Sequence, residues 1–311
     1  MKILRIVLTG EEPPFYTITN AFKSVFEEVD TLYWDEFSDR NLMNQIVQAG
    51  VKAKKYDAVF MQIQAANVIS LETAKILSEN SLVINWSGDV RENIEWYKEI
   101  APFVVSSFTN MHDVNQIKKL GYSSEYLQCG YDHIYYYNQN RVRLNNIAYC
   151  ANYYPQMQFP LTEQRAEAVI QLKKHFPDNF NLYGNNWDTI DIKSEGKADN
   201  NREALLYNVS SLALSISHFN YSRYFSDRLL REMACGCCVL SHRFEDIDME
   251  FDENKNIVVW DNLDDLLKKV YYYFNNSAKA REIGNEAAKY VKENYSWEIF
   301  ATKLKKIIKK Y

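Results

Sequence analysis

Glycine is scarce in this chain, nine residues in 311, against about 7% of an ordinary protein. A glycine-rich nucleotide loop therefore has little raw material, and neither a G-x-G-x-x-G fingerprint nor a G-x-x-x-x-G-K-[ST] phosphate loop occurs. That absence disfavours a dehydrogenase. Long apolar runs are also missing: no stretch approaches the roughly 18 residues a membrane span needs, and Ile3 to Leu8 is too short and too charged for a signal peptide. Nor is there an excess of positive charge. The formal net charge of -5 argues against a surface built to coat nucleic acid or anionic membrane, while leaving room for a local basic patch. Five cysteines, at 129, 150, 235, 237 and 238, make an odd count without the spacing of a secreted disulfide framework. The trio Cys235, Cys237 and Cys238 lacks a second ligand cluster, so small apolar strand residues are the better reading than a metal site. The expectation is a soluble, cytoplasmic protein.

What is present is a globular chain, 47% hydrophobic and long enough for two cores. Strand-like and helix-like runs alternate from Ile3 to Gln128, break over Gly130 to Arg141, and alternate again from Ile147 to Tyr273. This pattern predicts α/β architecture: two tandem Rossmann-like, doubly wound domains with a cleft between them. The expected boundaries are 1–140, 141–296, and a helix over 297–311 that packs back toward the first domain. That helix carries Trp297, Phe300, Leu304, Ile307 and Ile308 at helical spacing, with five lysines largely on the other side. A solvated packing helix is the default, with contact to membrane or nucleic acid as alternatives.

The most informative stretch runs from Tyr221 to Ser241. It reads as loop, helix, glycine stop and buried strand, with Ser226 able to cap the helix and Gly236 ending it. Unpaired N–H groups and the positive end of the dipole suit such a helix N-terminus to phosphate, and Arg228 adds a fixed charge in the first turn. Glu232 lies one turn deeper on the same face. Asp227 and Arg231, acid first at i,i+4, form the better-oriented helical ion pair and read as scaffold.

Two such domains, the helix bearing Ser226-Asp227-Arg228, the following Ala234-Cys235-Gly236, and Val258-Val259-Trp260-Asp261 together resemble the GT-B glycosyltransferases. Among these the pattern is similar to a short bacterial and phage branch like the spore-coat maturation glycosyltransferases. Asn85-Trp86-Ser87-Gly88-Asp89 and Leu127-Gln128-Cys129-Gly130-Tyr131-Asp132 add to the likeness. The resemblance implies that the second domain holds a nucleotide-diphosphate sugar, a UDP-sugar in the first instance, and that the first holds the acceptor. It implies no cofactor and no metal, since Arg228 and the helix terminus can take the diphosphate charge. In that scheme Glu232 accepts from ribose hydroxyls. The acceptor can be a polysaccharide, a protein, a small molecule or a modified base in nucleic acid. Two departures from the retaining GT-B pattern, Tyr224 where a glutamate is usual and Asn152-Tyr153-Tyr154 where a basic pair is usual, leave the stereochemical course open.

Other candidates sit at predicted strand ends. Asp89 follows a glycine and can take a proton from an acceptor hydroxyl, or else cap a helix starting near Glu92. Gly10 and Glu11 end the first strand, and Asp132 lies at the domain junction, where it can also cap a turn. Asn152, Gly184, Asn185, Ser217 and His218 follow strands of the second domain and can line its donor site; ordinary turn chemistry, or a satisfied buried imidazole for His218, is the plainer alternative. Asp246-Ile247-Asp248 matches the D-x-D of a metal-dependent GT-A enzyme, but sits in an acidic run that reads as a solvated loop. A nucleotide-sugar epimerase, or a non-catalytic nucleotide- or sugar-binding protein on the same fold, are the competing functions.

Overall fold

The computed structural model describes residues 1–9, 13–90, 93–156 and 159–311. The chain forms two compact units: residues 1–130 with 297–311, and residues 131–296.

In the first unit the strands β1 (Lys2–Val7), β2 (Glu28–Tyr33), β3 (Ala58–Met61), β4 (Leu82–Ser87), β5 (Val105–Phe108) and β6 (Ser124–Tyr126) form one sheet in the order β2-β1-β3-β4-β5-β6. Every pair is parallel, for example Ile3 beside Ala58 and Ile84 beside Val105. Parallel strands need crossovers, and α1 (Pro13–Val25), α2 (Arg40–Ala53), α3 (Leu71–Asn80), α4 (Glu95–Ile100) and α5 (Met111–Lys119) supply them. Three of these begin on side-chain caps, with Asp39, Ser70 and Asn110 each accepting from first-turn N–H groups. The strands read as nearly continuous apolar runs because both faces are covered, and Ile6, Val59, Met61 and Val83 are buried with Leu77, Ile100 and Ile117 of the helices.

The second unit repeats the plan with β7 (Leu144–Cys150), α6 (Thr162–His175), β8 (Phe180–Tyr183), α7 (Asn200–Val209), β9 (Ser210–Ser215), α8 (Asp227–Ala234), β10 (Cys238–His242), β11 (Val258–Trp260), α9 (Leu263–Asn275) and α10 (Ser277–Asn294). Its sheet order is β11-β10-β9-β7-β8, again all parallel. The chain leaves β7 to one side for β8 and returns to its other side for β9, so the strand order reverses at β7/β9. Ligands of open parallel sheets bind beyond the carboxyl ends of the strands at such a reversal. Helix α10 was not anticipated. Its buried face carries only Ile283 and Val291 as large apolar residues beside the small Ala280, Gly284 and Ala287, a weak apolar signal, and a Cβ on Gly284 would lie 2.2 Å from the Gly236 carbonyl oxygen.

The boundary falls ten residues earlier than the expected 140/141. Residues 131–140 are tied to the second unit: the Tyr131 N–H donates to the Tyr295 carbonyl at 3.1 Å, the Tyr136 hydroxyl donates to Glu203 at 2.6 Å, and Asn208 accepts from the Gln139 N–H at 2.8 Å. The helix α11 (Trp297–Lys310) belongs to the first unit. There Phe300 meets Phe22 of α1 and Trp86 of β4 with ring centroids 6.3 and 5.0 Å apart, and the Lys305 ammonium donates to the Val25 carbonyl at 2.7 Å. Lysine on its outer side thus solvates a docked helix. Among the described residues, no helix is long and apolar enough to cross a membrane.

Candidate functional site

At the carboxyl ends of β7, β8 and β9 the second unit holds a cavity of about 210 Å³ lined by Ala151, Asn152, Gly184, His218, Arg165, Lys197, Arg228 and Arg231, among others. Four of those side chains are cationic. Of the predicted donor-side residues, Asn152, Gly184, His218 and Arg228 are brought together here. Asn185 faces a neighbouring cavity that shares Gly184, and its N–H donates to the Asn152 side-chain oxygen at 2.8 Å. Gly184 has φ +135, and a Cβ there would lie 2.0 Å from the Ala151 carbonyl oxygen. Only glycine allows β8 to turn this close to the end of β7.

Helix α8 aims its N-terminus at the same end of the sheet. Ser226 occupies the cap position with extended backbone, but its side chain makes no cap hydrogen bond, which corrects the expected capping role. Its hydroxyl is buried without a hydrogen-bond partner among the described residues. Buried polar atoms are nearly always satisfied, and one left open beside first-turn N–H groups is a place for a ligand oxygen. The loop leading into α8 is fixed from behind. Arg223, at φ +59, ion-pairs with buried Glu250, its N–H donates to the Glu245 carbonyl at 2.8 Å, and Ser222 donates to Asp246 at 2.5 Å. Asp246 is thereby part of a turn, and among the described residues no cluster of His, Cys, Asp or Glu could hold a metal ion.

Arg228 is 13% exposed, donates to the Ile216 carbonyl at 2.9 Å and lies over the Tyr149 ring, with its Nε 3.6 Å from Glu232. Burial works against its charge, but Tyr149 and Glu232 outweigh burial and push its pKa up, so the guanidinium stays charged. Glu232 is fully buried beneath it and does not line the cavity. Burial pushes the Glu232 carboxyl up to about 8, against a downward pull from Arg228. Protonated Glu232 leaves the Arg228 charge available to an anion in the cavity. A stability consequence follows from the same shift. In the unfolded chain this carboxyl ionises near 4.5, whereas in the folded chain it holds its proton to about 8. The folded state binds the extra proton in that window, so stability falls as pH rises through it and levels off above. Glu232→Gln is expected to remove a slope of up to about 1.4 kcal/mol per pH unit between pH 5 and 8. Denaturant unfolding across that range measures it, and an unchanged slope would show that Glu232 is already ionised.

Sequence reasoning missed Arg165, Lys197 and Glu203. Arg165 was detectable: it occupies the buried face of α6 with Ala168, Val169 and Leu172, where an arginine needs a reason. Its guanidinium donates to the Tyr149 hydroxyl at 3.2 Å, the Asn152 carbonyl at 3.2 Å and the His218 ring at 2.7 Å. Burial first, then Arg165 and Arg228, lower the His218 pKa to about 3, so the imidazole is neutral and can accept from Arg165. Glu203 accepts from Arg231 at 3.0 Å and from Tyr136 and Tyr207, while Asp227 accepts from Arg231 at 2.6 Å as the helical spacing predicts. Ser217 is half-buried beyond β9 and does not line the cavity. Cys235, Cys237 and Cys238 are free and buried, packing the end of α8 and the start of β10.

Asp132 is also buried. Its side chain accepts from the Ile134 N–H at 3.3 Å and its carbonyl accepts from Tyr135 and Tyr136, the geometry of a capped turn. In the first unit Asp89 is exposed beyond β4. The next described helix starts at Glu95 with Ile94 in the cap position, and Glu92 lies outside the described residues. The turn beneath Asp89 is fixed: Ser87 donates to the Asp89 carbonyl at 2.8 Å, Tyr97 donates to Ser87 at 2.9 Å, and a Cβ on Gly88 would lie 2.9 Å from the Trp86 ring. Gly10 and Glu11 lie outside the described residues.

Residues 163–306 match the family model described as "Glycosyl transferase-like". No curated protein matches the chain. Among solved structures, the whole chain is similar to HepE of Anabaena in complex with UDP and glucose, at 12% identity and TM-score 0.67 over 100% of both chains. It is similar to the sucrose-phosphate synthase of Thermosynechococcus elongatus, at 12% identity and TM-score 0.65 over 100% of this chain and 99% of that one. The apo form of WaaB, a lipopolysaccharide outer core galactosyltransferase, gives 11% identity and TM-score 0.65 over 100% of both chains. A glycosyl transferase-like match thus covers most of the second unit, and over its full length the chain shares the two-sheet α/β fold of these GT-B glycosyltransferase structures.

Proposed function

We propose that the protein transfers a sugar from a UDP-sugar to an acceptor hydroxyl without a resident metal ion. The observation that carries the reading is the cavity at the β7/β9 reversal, where four cationic side chains converge near a helix N-terminus with an open, buried hydroxyl. A departing nucleoside diphosphate gains negative charge as the glycosidic bond breaks, and preorganised donors aimed at that charge lower the barrier. Arg228 and the first-turn N–H groups of α8, with Ser226, are assigned to the diphosphate. Asn152, Gly184 and His218 line the donor pocket. The solved relative holding UDP and glucose supports uridine as the base. Asp89 of the first unit is assigned to take the acceptor proton as the acceptor oxygen bonds to the anomeric carbon and the electron pair of the broken bond stays on the diphosphate. The motif Ser226-Asp227-Arg228 with Ala234-Cys235-Gly236 supports a place in the branch similar to spore-coat maturation glycosyltransferases.

A thermal-shift panel of UDP, GDP, TDP and their sugars, run with EDTA present, tests the donor site. Ligand at 100 times its dissociation constant is expected to add about 2.7 kcal/mol of stability. If no nucleotide moves the midpoint, the donor reading fails.

A further inference from the structure

The cations around the cavity differ in how far the protein has already engaged them. Arg165 has its Nε and both terminal nitrogens bonded to Tyr149, His218 and Asn152. Arg231 is held between Glu203 and Asp227. Arg228 donates to the Ile216 carbonyl, and its Nε lies buried 3.6 Å from Glu232 without a hydrogen bond among the described residues. These three largely buried guanidiniums set a fixed positive potential but have little room to move.

Lys197 is the contrast. It is exposed, it lines the cavity, and among the described residues no acid or carbonyl holds its ammonium. Its backbone is nevertheless placed with care. The Gly184 N–H donates to the Gly196 carbonyl at 2.8 Å, closing the loop after β8 as an antiparallel bridge. Ser194 braces that closure, its hydroxyl donating to the Gly184 carbonyl at 2.6 Å and accepting from the Gly196 N–H at 3.1 Å. Gly196 then turns through φ +76 to deliver residue 197 to the cavity. A flexible stem on a rigid anchor lets three N–H donors follow a charge that shifts during reaction, which a buried guanidinium cannot do.

We propose that Lys197 is the mobile cation of the donor site, pairing with the sugar-bearing phosphate and tightening on it as the sugar leaves. The inference rests on the donor reading above. Lys197 moves no proton: it donates hydrogen bonds to phosphate oxygens whose charge increases when the bond to the anomeric carbon breaks. Charge-assisted bonds to phosphate strengthen with that charge, so free diphosphate should depend on Lys197 more than the intact nucleotide sugar does.

The test is calorimetric titration of wild type, Lys197→Met and Lys197→Arg with uridine, UDP and UDP-glucose. An exposed side chain is replaced, and equal melting midpoints of the unliganded proteins confirm folding. The expected pattern for Lys197→Met is an affinity for UDP at least tenfold weaker, a smaller loss for UDP-glucose and no loss for uridine, with Lys197→Arg keeping most of the UDP affinity. Equal UDP affinity in wild type and Lys197→Met overturns the proposal while the donor reading stands. An equal loss for uridine and UDP also overturns it, because the effect would not be on phosphate. Wild-type protein that binds no nucleotide in the panel takes down the donor reading and this inference together.

Discussion

Arg228→Ala is expected to lower kcat/KM for glycosyl transfer by about 10²–10³, the loss typical of removing one preorganised donor from a developing anion. The expectation rests on where the charge sits. Arg228 lies in the first turn of α8, nearly buried, and fixed by the Ile216 carbonyl and the Tyr149 ring. Glu232 beneath it is shifted toward its neutral form, so little of the guanidinium charge is cancelled from within. A confounding effect has to be separated. Removing one member of a buried ion pair can destabilise by about 3–5 kcal/mol, although a carboxyl able to take up a proton escapes part of that cost. The double variant Arg228→Ala/Glu232→Gln carries no buried carboxylate and is expected to recover stability without recovering nucleotide affinity. Steady-state kinetics, with UDP titration of both variants, check this; full affinity in either would remove Arg228 from the diphosphate site.

Asp89→Asn is expected to reduce kcat by about 10²–10⁴ and to leave UDP affinity unchanged, as befits a general base that does not touch the donor. Asparagine keeps the size and the polar oxygen but cannot take a proton. Bonds through Ser87, Tyr97 and the Asp89 backbone carbonyl hold the turn in both proteins, and equal melting midpoints check that the fold is kept. The measurement is transfer rate at saturating donor and acceptor. Unchanged turnover would remove Asp89 as the base and direct attention to a course in which no protein carboxylate is required for the acceptor proton.

Much of this architecture is legible in the sequence because its strands are doubly covered. A run such as Ala58 to Met61 is apolar on both faces, and the helices between such runs carry clear stripes. The α8 segment is legible for a second reason: Leu229, Leu230 and Met233 define its inner face, so Arg228 must emerge near the rim. Legibility fails where burial is achieved largely by small residues, as in α10. It fails also where a site is assembled across distance. Lys197 is delivered by a Gly184–Gly196 bridge that no local pattern announces, and Glu203 meets Tyr136 and Arg231 from 67 and 28 positions away. Ser226 shows the opposite error. Its residue type and position are those of a cap, yet its hydroxyl makes no cap bond, because local propensity does not fix the rotamer a packed loop imposes.

The return of residues 297–311 to the first unit bears on the order of events during synthesis. The second unit is one continuous segment, 131–296, and is fully available to fold as soon as it clears the ribosome. The first unit emerges earlier but waits longer, because Phe22, Phe60 and Trp86 pack against Phe300, a residue translated after the entire second unit. Until then those rings have no cover from α11. The half of the molecule made first is therefore the half completed last, and its nascent form is where chaperone binding should concentrate.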